Sequence, residues 1–146
     1  MLFRSHVGLI CDSSSPTSLL TIWARDRTRG PKLPLEFLVH KQTLATARSY
    51  GLHDRGVIAP GYRADLNVID FANLGLEPPE VVHDLPAGGK WIVQRARGYR
   101  HTFVHGTEVA RDGEDTGARP GRLLRGFQAG PGGRALNPRR IAPGEF

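Results

Sequence analysis

His101 and His105 are the residues to weigh first, because two imidazoles four positions apart bind zinc when they share a helical face. Here they bracket Thr102-Phe103-Val104, a β-branched and aromatic stretch, with Gly106 behind them. That places them on a strand and its turn, about 13 Å apart along the chain, and no metal site is predicted. His40, His53 and His83 complete no ligand spacing either. Cys11, the one cysteine of the chain, can form no internal disulfide. With no His/Asn arrangement to activate it, it reads as a small buried hydrophobe. Asp65 and Asp70 invite a paired-carboxylate reading, but each sits where a turn or strand end needs its backbone groups satisfied, and that role is expected. Lys90, Arg95, Arg97 and Arg100 alternate with strand residues, as charges do on a solvated sheet edge that resists pairing with another edge.

These residues must be carried by local elements. Ser15 can cap a helix with Pro16 in its first position. Leu19, Leu20, Ile22 and Trp23 follow at helical spacing, and Gly30-Pro31 ends the segment. A second helix is predicted from Pro34, with Leu35, Leu38, Val39, Ala45 and Ala47 on one face and Gly51 closing it. Then the texture changes. Gly56-Val57-Ile58, the turn Ala59-Pro60-Gly61-Tyr62, and Ala64 to Asp70 read as strand, turn, strand, with Leu66 and Val68 on one covered side and Asn67 opposite. Further strands are predicted at Val81-Val82, Lys90 to Gln94, Tyr99 to Val104 and Thr107 to Arg111. His105-Gly106 joins the last two as a hairpin, and Asp112-Gly113 ends the second arm.

The net charge of +6 is concentrated. From Arg119 to Phe146 there are six arginines and one acid, which gives +5 and leaves +1 for the rest. This segment is also rich in glycine and proline, and from about residue 127 onward it is expected to be disordered. Phe127 is the only aromatic among its arginines that could offer a stacking platform, so nucleic acid is not the expected partner. No apolar run reaches the roughly 18 residues of a membrane span, and no leader pattern opens the chain. A cytoplasmic protein with no membrane partner is expected.

Four groups of residues together resemble one family. Arg55-Gly56-Val57-Ile58-Ala59-Pro60-Gly61-Tyr62-Arg63-Ala64-Asp65-Leu66-Asn67-Val68-Ile69-Asp70 is similar to the segment by which amidohydrolase-superfamily chains return from a barrel to a small β-sandwich. Ser5 to Asp12 with Pro16-Thr17, Trp23 to Arg27 with Leu35-Glu36 and Lys41-Gln42-Thr43, and Thr102 to Gly106 with Asp112 to Gly117 and Pro120-Gly121-Arg122 resemble the enzymes of that superfamily acting on N-acyl-D-amino acids, the D-aminoacylase type. The resemblance runs from about Ser5 to about Gly126.

It implies an α+β fragment. Residues 1–50 would hold two helices from the end of a (β/α)8 barrel, 51–118 the antiparallel strands of a partial β-sandwich, and 119–146 the basic tail. The family's chemistry is hydrolysis of a non-peptide amide bond, with a bound zinc lowering the pKa of the attacking water and an Asp at the end of the last barrel strand handling the proton. Leu2 holds that Asp position here, and the family's metal ligands fall upstream, so neither catalytic residue nor metal ligand is assigned in this chain. His6 falls beside the substrate pocket and is the one candidate substrate contact. The expectation is a truncated, inactive piece of an enzyme whose intact form binds zinc and an N-acyl amino acid, prone to self-association through exposed sheet edges. The alternative is a non-catalytic interaction module with a basic nucleic-acid-binding tail.

Overall fold

The computed structural model describes residues 14–133. Helix α1 (Ser14–Ser18) continues without a break into a wider π-type stretch (Leu19–Asp26). Ser15 and Pro16 lie within the described helical run rather than ahead of it. The helix stops at Arg27, three residues before the expected Gly30, as the backbone there turns extended. The Arg27 guanidinium lies over the Trp23 ring at 4.3 Å.

The second helical run begins after Pro34 as expected, with α2 (Leu35–His40), a π-type stretch (Lys41–Ala45) and α3 (Thr46–Ser49). Its end is a Schellman motif. The N–H of Leu52 donates to Ala47 O at 2.8 Å and that of Gly51 to Arg48 O at 3.0 Å, so the last free carbonyls are satisfied.

Among the described residues eight strands follow: β1 (Leu66–Ile69), β2 (Gly75–Leu76), β3 (Glu80–Leu85), β4 (Gly89–Val93), β5 (Ala96–Arg97), β6 (Tyr99–Val104), β7 (Thr107–Arg111) and β8 (Glu114–Asp115). They form a four-stranded antiparallel sheet in the order β1-β6-β7-β8 and two separate pairs, β2-β5 and β3-β4. The α+β class and the antiparallel pairing agree with the sequence reading. The β6–β7 turn is formed by His105 and Gly106, both at positive φ (52° and 74°), the geometry that matches the twist of a two-residue hairpin. Asp112-Gly113 does more than end β7. It makes a second such turn, and β8 adds a short fourth strand.

Two expectations fail here. Gly56-Val57-Ile58 is not a strand: the chain turns at Gly56 (φ 89°), where an added Cβ would stand 2.8 Å from the Leu44 Cα. The close approach to the helix sets the path of this stretch, and Ile58 is left 89% exposed. Val68 does not share the covered side with Leu66. Leu66 to Val68 pair in regular register, yet Val68 is 47% exposed; past the register shift between Val68 and Ile69, Ile69 packs on the core.

The core is small. Among the described residues Leu20, Leu38, Ala47, Leu74 and Val93 are the buried apolar side chains. Leu20, Leu38 and Leu74 form one cluster, flanked by Leu33, Leu35, Ile69, Phe71 and Tyr99, so both helical runs close on β1, β6 and the loop after β1. Thr17, 1% exposed, shares a 2.9 Å hydrogen bond with the Tyr99 hydroxyl. Arg25 gathers three carbonyls, donating to Phe71 O at 2.5 Å, Ala72 O at 3.1 Å and Leu74 O at 2.8 Å. Gly98 (φ 96°) lets the β5–β6 link pass against that loop, since a Cβ there would lie 2.7 Å from the Leu74 Cα.

The chain beyond β8 returns to the helix end. The N–H of Gln128 donates to Gly51 O and that of His53 to Gln128 O, both at 2.9 Å, and the Phe127 ring lies 4.9 Å from that of His53. Gln128, in the stretch expected to be disordered, is thus paired with the helix end. Residues 134–146 lie outside the described residues.

Candidate functional site

A half-buried cluster of charge lies where the loop after the helices enters the sheet. Asp65, just before β1, takes a hydrogen bond from the backbone N–H of His105 at 2.8 Å and from Arg63 Nε at 3.1 Å on one oxygen. Its other oxygen takes Arg55 Nη1 at 3.0 Å. Arg55 also grips Asp54 with two parallel bonds, Nε to Oδ1 at 2.9 Å and Nη2 to Oδ2 at 3.0 Å. The Arg63 N–H donates to Asp54 O at 2.7 Å, and that of Gly106 to Ala64 O at 2.9 Å. All four side chains are at most 27% exposed. The fork of Arg55 holds the Asp54 carboxyl below its ordinary value, and Asp54 in turn raises Arg55.

This cluster binds chain to chain. It fixes the helix-side loop, the start of β1 and the tip of the β6–β7 hairpin around one carboxylate, as expected of Asp65 from its position. Asp70 also plays the structural part read for it. It accepts the Asn73 N–H at 3.2 Å and Asn73 Nδ2 at 2.9 Å, and it pairs with Arg100 at 3.2 Å. Asn73 is the larger cause, ahead of Arg100, of its lowered pKa.

A second cluster lies across β6 and β7. His101 Nδ1 is 2.6 Å from Glu108 Oε1, and Arg111 Nη2 is 2.5 Å from Glu108 Oε2. Arg111, then His101, lower the Glu108 pKa from 4.5 to about 2. A carboxylate held so firmly ionised cannot act as a general acid near neutral pH. Beside it an open depression is lined by Arg111, Asp112, Glu114, Asp115 and Thr116. Of its acids, Asp115 pairs with Arg119 and Asp112 with Arg100.

The remaining candidates do not converge. His40 ends α2, His53 lies tilted against Phe127, His83 lies in β3 and His105 forms a turn. Among the described residues no three His, Cys, Asp or Glu side chains are placed to hold a metal ion. The described residues therefore do not by themselves fit a zinc centre. Leu2, His6, Cys11 and Asp12 lie outside the described residues. Lys90 is exposed on β4, whereas Arg95, Arg97 and Arg100 pair with Glu80, Glu77 and Asp70 or Asp112. Sequence reasoning gave Arg55 and Arg63 no role of their own. The alternation of Asp54-Arg55 with Arg63-Ala64-Asp65 was the available signal.

Two helical runs on a small antiparallel sheet, locked at the sheet's start by Asp65, define an α+β unit. The sequence profile of the amidohydrolase family matches residues 5–110, and the chain belongs to that family. Over its matched part it is D-aminoacylase-like. It is 39% identical over 93 residues to an N-acyl-D-aspartate deacylase of Alcaligenes xylosoxydans xylosoxydans, covering 63% of this chain and 17% of the relative. It is 37% identical over 91 residues to a D-aminoacylase of the same organism, covering 62% and 17%. A 5-methylthioadenosine/S-adenosylhomocysteine deaminase of Desulfitobacterium hafniense is 36% identical over 74 residues, covering 44% and 17%. The aligned stretches thus account for about a sixth of the length of these curated relatives. No solved structure matches the chain. Among the described residues no helix is long and apolar enough to cross a membrane.

Proposed function

We propose that this chain forms the closing part of a cytoplasmic, zinc-dependent hydrolase of non-peptide amide bonds, with N-acyl-D-amino acids as substrates. In this reading the helical runs finish a (β/α)8 barrel and the strands belong to a β-sandwich. The observation that carries it is the 39% identity to the N-acyl-D-aspartate deacylase. The Asp65 cluster supports it by joining helix-side loop and sheet through one carboxylate. The contribution of this segment is architectural, and His6 is its candidate substrate contact.

The direct test is a transplant. The 93 matched residues replace their counterpart in the Alcaligenes enzyme, and hydrolysis of N-acetyl-D-aspartate is followed with zinc present. A folded chimera that keeps its turnover supports the reading, and a folded, inactive one counts against it. The 146-residue chain alone is expected to show no turnover above a metal-only blank. The deaminase relative supplies a second reading, also hydrolysis at a C–N bond. It gains if the chimera fails while the same transplant into the deaminase succeeds.

The β3–β4 pair has exposed edges, and we propose that it drives weak self-association. Sedimentation should show mass rising with concentration. A stable monomer with one cooperative melt above about 60 °C would remove this proposal.

A further inference from the structure

Each of the seven arginines between positions 54 and 119 has a carboxylate partner. Arg122 and Arg125 break that rule: both are exposed, and neither has an ion-pair partner among the described residues. Between them Leu123 is 77% exposed. This stretch is also held at both ends. Upstream, Arg119 grips Asp115 with two bonds at 2.8 and 2.5 Å. Downstream, Gln128 is paired with the backbone of Gly51 and His53.

A loop tethered at both ends has already lost part of the freedom that binding would cost it. Its chemistry is two uncompensated guanidinium groups around one apolar side chain. The sequence beyond adds Arg134, Arg139 and Arg140 against Glu145 alone. We propose that loop 120–125 docks on an anionic lipid surface, with Arg122 and Arg125 at headgroup phosphates and Leu123 entering the acyl boundary. Surface docking needs no membrane-spanning segment, only basic residues near the bilayer and an apolar anchor. Nucleic acid would share the arginines but calls for a free aromatic platform. Phe127 is packed near His53 and against Gly51 instead. Leu123 has no use on a phosphate backbone. The proposal is independent of the hydrolase reading.

The test is sedimentation of the whole chain with vesicles of phosphatidylcholine, alone or with about 30% phosphatidylglycerol. It is run at about 0.05 M and about 0.5 M salt. Binding is expected on anionic vesicles at low salt and absent on neutral ones. Each of Arg122→Gln and Arg125→Gln should weaken it about fivefold, and Leu123→Ser about tenfold. Arg48→Gln, which removes an exposed arginine from α3, should change it less than about twofold. In a chain carrying Leu123→Trp, emission should shift to the blue on anionic vesicles beyond any shift of the parent. No vesicle binding, equal binding to neutral vesicles, or an Arg48→Gln effect as large as Arg122→Gln would overturn the proposal. So would tighter binding to a DNA or RNA duplex that Leu123→Ser leaves unchanged.

Discussion

The β1-β6-β7-β8 sheet and the β3–β4 ribbon are built from strands of similar length, yet they are held in different ways. The sheet is tied into the molecule by contacts from far along the chain: Thr17 on Tyr99, and Arg55 and His105 on Asp65. The ribbon is paired mainly with itself. Val81 and Leu85 are 56% and 45% exposed, and the side-chain ties of Trp91 to Asp84 and Arg95 to Glu80 run between neighbours at the surface. Pairing alone therefore does not fix a strand in this fold; a two-stranded ribbon is marginal in water until a further layer covers it.

The largest effects should separate the two regions. Leu74→Ala removes a side chain that is 1% exposed at the centre of the cluster. It should cost about 2–5 kcal/mol by urea denaturation. Val81→Ser in the ribbon should stay within about 0.5 kcal/mol. Equal shifts would erase the contrast.

Asp65→Asn comes next. It leaves Arg55 and Arg63 without their shared charge and weakens the His105 N–H bond, and should cost about 2 kcal/mol. The β6–β7 hairpin amides should then exchange faster while those of β3–β4 keep their rates. Unchanged hairpin exchange would show that the sheet does not depend on this carboxylate.

The smallest effect is on pH dependence. Glu108 has its pKa lowered from 4.5 to about 2 in the folded chain. The unfolded state thus binds the proton more readily, so the contribution of Glu108 is present above about pH 4.5 and is lost as pH falls towards 2. Glu108→Gln should flatten the acid limb of the stability curve over that window and leave it unaltered near neutrality. An unaltered acid limb would mean that the pair with Arg111 adds nothing.

Much of the sheet was legible because its signals are local. His105-Gly106 between two β-branched runs specifies a tight hairpin, and both β6 and β7 appear with the predicted bounds. The two-residue strands β2, β5 and β8 carry no such signal, being too short for any periodicity. Val57-Ile58 looked like a strand by composition, but the packing of Gly56 on Leu44 decided the path, and no local rule reports a contact with a helix. The role of Asp65 could be read from its place before a strand. Its arginines could not, since Arg55 reaches it across ten residues of irregular loop. His101 and Glu108 meet through strand register and an irregularity at Thr102/Phe103, not through any spacing in the sequence.

The hydrogen bond between Thr17 and Tyr99 joins residues 82 positions apart. Ribosomes add about 5–20 residues per second, so α1 is made roughly 4–16 s before its hydroxyl partner exists. The Leu74 carbonyl that Arg25 will hold is made earlier in that interval, 49 positions after Arg25, and Tyr99 closes it. Isolated helices of this length are marginal in water. The helical segments of this chain therefore wait for their long-range ties, and the last of those from Thr17 comes only when β6 is made.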